Sequence, residues 1–164
     1  TKHPADATQI LQVILRPLHL NEALEAIEEL KQALIAKGEA SELFGQLRNE
    51  GLASALATIE QGVKDALFYP NIANRSAHLL YFVIKNHPFT DGNKRCGSLL
   101  FVWYLLRNSA LLAKPADQLI NDNTLVALAL LVAESRPAQK SLMIRLIENL
   151  LPLKESCSAD APPH

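Results

Sequence analysis

A run of ten residues that is dense in polar groups lies between two apolar stretches of the chain. The run, Asn86-His87-Pro88-Phe89-Thr90-Asp91-Gly92-Asn93-Lys94-Arg95, contains an imidazole, a carboxylate, two cations and a glycine. Apolar residues dominate positions 77–84 before it and 99–106 after it. Polar groups held between buried segments cost free energy unless each finds a partner. An ordinary surface turn explains the proline and the Asp-Gly pair but not the other side chains, so the run indicates a functional loop.

The two stretches that flank this loop are predicted to be helices. Asn74 can cap a helix that runs to about Asn86, and the interior of this helix, 77–84, is apolar almost all round apart from His78 and Tyr81, as a central buried helix would be. A strand competes there, because Tyr, Phe, Val and Ile favour strands. A second helix is expected to begin near Asn93 or Lys94 and to run to about Arg107. The loop would then lie across the N-terminus of the second helix.

Apolar spacing and capping residues predict the remaining elements. They are a short helix or strand over 10–15, a helix from an Asn21 cap to Lys37, a short helix and loop over 39–51, helices over 52–59, 125–133 (capped by Asn123) and 139–151, and a polar connection over 115–122. Residues 63–70 lie between Gly62 and Pro70 and alternate imperfectly, so a small hairpin and a plain connecting loop are both open.

The residue types of the loop indicate phosphate binding. A helix start supplies unpaired N–H groups and a partial positive charge, which together favour an anion. Gly92 lets the backbone approach a phosphate, Asn93 adds an amide, and Arg95 can form two parallel hydrogen bonds to it. Asp91 would repel phosphate unless a bridging Mg²⁺ joined them, and Mg²⁺ accepts one carboxylate together with phosphate oxygens and waters. The loop therefore predicts a nucleotide polyphosphate with Mg²⁺.

His87 is the natural general base of this loop. An imidazole changes its protonation state near neutral pH, so it can take a proton from a hydroxyl that attacks phosphorus in line. Phe89 is expected to turn inward and pin the loop. Pro88 is expected to restrict His87 to an extended backbone, because its ring crowds the preceding residue.

Composition places the chain among globular proteins, since 49% of its 164 residues are apolar and 20% are charged. The net charge of -1 gives no global attraction to nucleic acid or to an anionic membrane, so neither is expected as a partner. Cys96 and Cys157 fit free thiols in a reducing compartment better than a disulfide framework. No leader opens the chain and no apolar run reaches about 18 residues, so we expect a cytoplasmic protein. The chain begins at Thr1, which leaves upstream domains open.

The motif His-Pro-Phe-x-Asp-Gly-Asn-Lys-Arg at residues 87–95 resembles the signature of the Fic/Doc (Fido) superfamily at every defined position. The resemblance implies an all-α, Fic-type helical bundle around a central helix–loop–helix, with a small β-hairpin flap beside the active site, and it decides for a helix over 77–84. It also implies N-terminal helices over 1–39 and a Fic core domain over 40–151. Residues 152–164, rich in Pro, Ser, Ala and Asp, are predicted to be a disordered tail.

By this resemblance the chain is an enzyme that transfers AMP from ATP, with Mg²⁺, to a Ser, Thr or Tyr hydroxyl of a target protein. His87 would deprotonate the hydroxyl, and Asp91 would hold Mg²⁺ on the α- and β-phosphates. Gly92 and Asn93 would line the anion hole, and Arg95 would hold the far phosphates.

Lys94 departs from the best-matched AMP-transferring members, which carry Gly there, whereas the phosphate-transferring Doc branch carries Lys. Doc-like loops tend to lack the Pro and the Asp-Gly pair found here, so the loop is a hybrid. A Lys narrows the hole and could favour a reversed nucleotide that puts the γ-phosphate at His87. We therefore predict AMP transfer, with two alternatives: a Doc-like protein kinase, or a non-catalytic helical module that binds nucleotide or a partner.

The resemblance also assigns residues outside the loop. Lys64, Asp65, Ala66 and Leu67 would belong to the flap, which holds the target segment by strand-like pairing.

Many members carry an inhibitory helix with Ser or Thr, three residues, then a Glu that pairs with the loop Arg. Partial matches place this acid at Glu50 or Glu148, where a plain surface acid is the competing interpretation. The inhibitor could instead be a separate antitoxin-like protein, and association of the chain with further copies of itself is left open.

Overall fold

A computed structural model of the chain describes residues 15–63, 66–67 and 71–154, and for residues 62–63 and 66–67 it describes the backbone alone. In chain order the elements are α1 (Leu20–Ala36), α2 (Gly51–Ile59), β1 (Gly62–Val63), β2 (Ala66–Leu67), α3 (Ile72–Asn86), α4 (Asn93–Arg107), α5 (Ala116–Leu119), α6 (Asp122–Glu134) and α7 (Lys140–Asn149). Short 3-10 turns lie at Ser109–Leu111 and Pro137–Gln139. The prediction of an all-α bundle around a helix–loop–helix is confirmed.

Helix α3 is the centre of the bundle. It contacts α2, α4, α6 and α7, and most of its residues are buried, as the apolar run over 77–84 predicts. Helix α4 packs closely against it because Gly97 has no side chain. A Cβ at Gly97 would lie 3.3 Å from side-chain atoms of both Val83 and Ile84. This close contact fixes the two helix ends between which the polar loop is held.

Three helix starts differ from the prediction. Helix α3 is capped by Asn71, whose Oδ1 accepts the Asn74 N–H at 2.7 Å, so Asn74 lies inside the helix. Helix α6 is likewise capped by Asn121, not Asn123. The N-cap position of α1 is His19, one residue before its first helical residue, and Asn21 is helical. In each case the helix begins earlier than the prediction placed it.

Helix α1 belongs to the same hydrophobic core as the rest of the bundle, to which it contributes Ala23 and Ile27. Arg107 at the end of α4 donates to Glu22 Oε1 at 2.8 Å and to the Pro17 carbonyl at 3.0 Å. The guanidinium of Arg107 lowers the pKa of the Glu22 carboxyl to about 2, chiefly through this hydrogen bond. The ion pair therefore fastens the first turn of α1 to the far end of α4.

A polar network joins α2, α3 and α4 beside the short hairpin. Arg75, which is buried, donates from Nη1 to Glu60 Oε2 at 2.8 Å, and the Tyr104 hydroxyl approaches Glu60 Oε1 at 3.4 Å. Burial, together with the Glu60 charge, raises the pKa of Tyr104 to about 12, so its hydroxyl stays protonated and can donate. Glu60 ends α2 two residues before β1, so the network anchors the chain at the base of the hairpin.

The hairpin that was one of two possibilities for residues 63–70 is present as a two-strand antiparallel ladder. Gly62 pairs with Leu67 and Val63 with Ala66. Lys64 and Asp65 lie outside the described residues. The target-binding role assigned to this segment stays a prediction.

At the C-terminal end, residues 152–154 pair with the chain near Leu112. Ala113 N–H donates to the Pro152 carbonyl and Lys154 N–H to the Leu111 carbonyl, both at 2.9 Å. The remainder of the predicted tail, with Cys157, and most of the predicted first element lie outside the described residues. Across the described chain, no helix combines the length and apolar character needed to cross a bilayer.

Candidate active site

The polar loop begins where α3 ends, at a residue in an unusual conformation. His87 is the C-cap residue of α3 and has φ 49° and ψ 61°, in the left-handed region. The prediction of an extended backbone at His87 was therefore wrong. Ending a helix with a left-handed residue is common, but glycine usually occupies that position because a Cβ crowds the backbone there. This turn redirects the chain at His87 and leaves its side chain exposed.

The loop is closed by the side chain of Asn93. Its Oδ1 accepts the Phe89 N–H and its Nδ2 donates to the Phe89 carbonyl, each at 2.9 Å. Phe89 is fully buried, as predicted, and its ring anchors the loop in the core. The Asn93 amide thus holds the loop in shape, a role beyond the phosphate contact that the sequence suggested.

One pocket of about 260 Å³ gathers the predicted loop residues. It is lined by His87, Thr90, Asp91, Gly92, Asn93, Lys94 and Arg95, with Ile84 and Ala133 as its apolar wall. Gly92 precedes the first turn of α4 with φ 84°, and among the described residues no side chain caps the helix N–H groups there. The pocket therefore combines a helix N-terminus, an imidazole, one carboxylate and two cations.

The charged side chains of the pocket are not paired with opposite charges elsewhere in the described part of the chain. Asp91, Lys94 and Arg95 are exposed, and within the described residues none of them forms an ion pair. The Arg95 guanidinium lies 5.4 Å from the centre of the Phe44 ring and donates to the Glu39 carbonyl at 3.4 Å, which is a long hydrogen bond. These groups are free to bind an anion and its counter-cation.

A segment that the sequence did not reveal runs alongside the loop. Residues 44–48 were expected to form a short helix and loop, but they form backbone bridges to residues 88–91 instead. Gly45 N–H donates to the Asp91 carbonyl at 3.0 Å, Thr90 N–H to the Gln46 carbonyl at 2.8 Å, and Arg48 N–H to the Pro88 carbonyl at 3.0 Å. We call residues 44–48 the loop strap, because these bonds hold the loop from outside.

The apolar wall of the pocket is held in place by Lys85. Its Nζ donates to the carbonyls of Ser135 at 2.6 Å and Ala133 at 3.2 Å, at the C-terminal end of α6. A cation suits the negative end of a helix dipole. Lys85 thus ties the end of α6 to the last turn of α3, two residues before His87.

The two acids that matched an inhibitory pattern differ in their distance from the loop, and only Glu148 lies far from it. Glu148 accepts from Asn74 Nδ2 at 2.8 Å, at the start of α3, whereas the loop follows the end of α3 roughly 20 Å away at 1.5 Å per helical residue. Glu50 precedes α2, is exposed, and lines a shallow pocket with Asn86 at the start of the loop. No contact within the described chain joins either acid to Arg95, so their inhibitory roles stay predictions.

Comparison with known proteins adds one match. A model of the Fic/DOC family matches residues 20–105, just over half of the chain, and this range includes α1 to α3, the loop and all but the last two residues of α4. Searches of curated proteins and of solved structures found no match. Members of this family generally transfer AMP or a related nucleotide-derived group. With its polar loop held between two packed helices and its match over residues 20–105, the chain belongs to the Fic/DOC family.

Proposed function

We propose that the chain is a protein adenylyltransferase, which transfers AMP from ATP to a hydroxyl of a target protein. The observation that carries the proposal is that His87 lines the same pocket as Asp91, Lys94, Arg95 and the start of α4. Two cations, one carboxylate and uncapped helix N–H groups suit a polyphosphate that arrives with a divalent cation. An imidazole at the same pocket suits removal of a proton from the attacking hydroxyl.

The pocket residues also fit Mg²⁺ bound together with nucleotide phosphates. Mg²⁺ usually keeps several waters and takes one or two carboxylates with phosphate oxygens. Asp91, exposed and without an ion-pair partner in the described chain, can supply that carboxylate. The described residues contain no group of three or more His, Cys, Asp or Glu side chains placed to hold a metal ion by themselves, and such a group is not needed where phosphates and waters supply the other ligands. Bound there, Mg²⁺ would neutralise part of the phosphate charge.

The chain's own residues would divide the chemistry as follows. His87 takes the hydroxyl proton while the hydroxyl oxygen forms a bond to the α-phosphorus. The bond from that phosphorus to the oxygen shared with the β-phosphate breaks, and pyrophosphate leaves. Arg95 and the first N–H groups of α4 hold the phosphates in line and offset their charge.

Transfer from ATP labelled on the α- or the γ-phosphate to a lysate of acceptor proteins tests the proposal, when label is counted above that of the lysate without the added protein. AMP transfer predicts label on protein from α-labelled ATP and none from γ-labelled ATP. His87→Ala should abolish this label, whereas His19→Ala, which removes an exposed histidine outside the pocket, should leave it unchanged.

Lys94 supports a second candidate, a Doc-like protein kinase. Its side chain is exposed and lines the pocket, where it would narrow the phosphate hole. A reversed nucleotide would then place the γ-phosphate at His87, and label would reach protein from γ-labelled ATP alone. Label from neither nucleotide, with His87→Ala indistinguishable from the parent chain, would instead favour a binding module.

The site also supports regulation by an inhibitory carboxylate that pairs with Arg95. Beside Arg95 lies an apolar groove of about 500 Å³ between α1, α4 and α6. It is lined mostly by Leu30, Leu34, Leu99, Val102, Leu125, Val126, Ala129 and Leu130, with Lys94 and Arg95 at the border with the pocket. This setting suits an amphipathic helix with an acid near one end, from an antitoxin-like protein.

Glu50→Gly and Glu148→Gly versions, run beside the parent chain, separate the possible sources of this carboxylate. A rise in transfer in either version would identify an internal inhibitor. No rise in either, in a chain that binds ATP, favours the separate protein.

A further inference from the structure

Phe44 lies where the loop strap meets the pocket. Its side chain is fully buried, and its backbone forms a bridge with Asp91. The next residue of the strap, Gly45, donates its N–H to the Asp91 carbonyl at 3.0 Å. The Phe44 ring is therefore fixed on both sides, by core packing and by backbone pairing with the loop.

The Phe44 ring packs directly against the turn that begins α4. A Cβ at Gly92 would lie 2.4 Å from two carbons of this ring. The ring thus occupies the space that any other residue at position 92 would need. It supports the backbone from which the first N–H groups of the helix project.

The Arg95 guanidinium lies over the same ring. The guanidinium carbon lies 5.4 Å from the ring centre, within the distance at which a cation is attracted to an aromatic face. The other described contact of this side chain is the long hydrogen bond to the Glu39 carbonyl. Most of the five N–H donors of the guanidinium therefore stay available to a ligand.

We propose that Phe44 is a positioning residue that holds the Arg95 guanidinium at the mouth of the pocket, ready for the terminal phosphates of the nucleotide. An arginine side chain that is already restrained loses less conformational freedom when it binds. Phe44 acts on the nucleotide through Arg95, and the contact of its ring with the Gly92 turn fixes where the ring lies. This inference rests on the proposed function, because it assigns Arg95 to nucleotide phosphate.

The test compares Phe44→Leu with Phe101→Leu, which makes the same change at another fully buried phenylalanine, in α4. Titration with ATP and Mg²⁺ should show Kd raised by about two- to fivefold for Phe44→Leu, as expected for loss of one cation–π contact, and unchanged for Phe101→Leu. In an Arg95→Ala background, Phe44→Leu should change Kd by less than about twofold, since the group it acts through is gone. Pentafluorophenylalanine at position 44 keeps the ring but weakens its attraction for a cation, and should also raise Kd.

Equal weakening by Phe44→Leu and Phe101→Leu, or an equal effect of Phe44→Leu with and without Arg95, would reduce Phe44 to a core residue and overturn the proposal. A second measurement needs no nucleotide. In NMR spectra of the free protein, the Arg95 Hδ resonances should be shifted by the ring current of Phe44, and Phe44→Leu should abolish the shift. If the parent chain fails to bind ATP, the proposed function fails, while this shift still decides whether Phe44 positions Arg95.

Discussion

Replacing His87 with glycine should make the protein more stable while it removes the general base. His87 is the one non-glycine among the described residues with a positive φ, at 49°. Its side chain is exposed and forms no hydrogen bond within the described chain, so little contact energy is lost on truncation. Pro88 adds to the strain, because a proline disfavours helical backbone angles in the residue before it.

The size of the effect follows from two opposing contributions. A residue with a Cβ in the left-handed region costs about 1–2 kcal/mol, which glycine avoids. Glycine in turn gives the unfolded chain extra conformational freedom, which costs about 0.5–1 kcal/mol. The net gain in the free energy of unfolding is about 1 kcal/mol, which corresponds to a rise in Tm of about 2–4 °C for a chain of this size.

Thermal unfolding followed by circular dichroism provides the measurement, with His87→Ala as the matched control. Alanine keeps a Cβ in the strained conformation, so its Tm should equal that of the parent chain or fall below it. Both variants should lose transfer activity. A Tm for His87→Gly at or below that of His87→Ala would refute the strain argument. It would mean that the backbone at His87 costs nothing or that the imidazole makes a stabilising contact.

Three further predictions concern single side chains. Gly92→Ala should lower the free energy of unfolding by about 2–4 kcal/mol in denaturant titrations, because the new Cβ clashes with the Phe44 ring and because alanine is strained at the positive φ of this residue. An unchanged denaturant midpoint would contradict this. Arg107 lowers the pKa of Glu22 to about 2 in the folded state alone, so the ion pair stabilises the fold only while Glu22 is ionised. As the pH falls from about 4.5 to about 2, the free energy of unfolding of the parent chain should therefore fall relative to that of Glu22→Gln. Parallel acid-unfolding curves for the two proteins would argue against this. Burial raises the pKa of Cys96 to about 12, so iodoacetamide should modify this thiol only under conditions that unfold the chain. Peptide mapping detects the modification, and finding it in the folded protein would show that the thiol is accessible.

The central helix–loop–helix could be predicted because its signals are local. Apolar runs on both sides of ten polar residues indicate two buried elements and a loop, and family resemblance decided between helix and strand for 77–84. The helix starts could not be placed to the residue, because several asparagines near the starts of α3 and α6 can cap a helix. Asn71 and Asn74 are both good capping residues, and the packing of Ile72 and Ala73 into the core extends α3 back to Asn71.

The loop strap could not be found in this way, because its partners are distant in sequence. Phe44 pairs with Asp91, and Leu47 with Phe89, so each pair joins residues more than forty positions apart. Gly45 next to a buried aromatic residue is the one local sign, and it does not specify a partner. The left-handed backbone of His87 was missed for a related reason, since local steric rules favour an extended residue before proline.

The sequence alone thus determined which chemical groups the site contains: an imidazole, a carboxylate and two cations beside a helix start. It could do so because all of them lie in one short loop, which places them together. Their arrangement required the folded chain. Contacts between remote segments, such as the strap bonds to the loop, the Phe44 ring against Gly92 and Arg95, and Lys85 at the end of α6, override local preferences because the packed core outweighs the strain they impose.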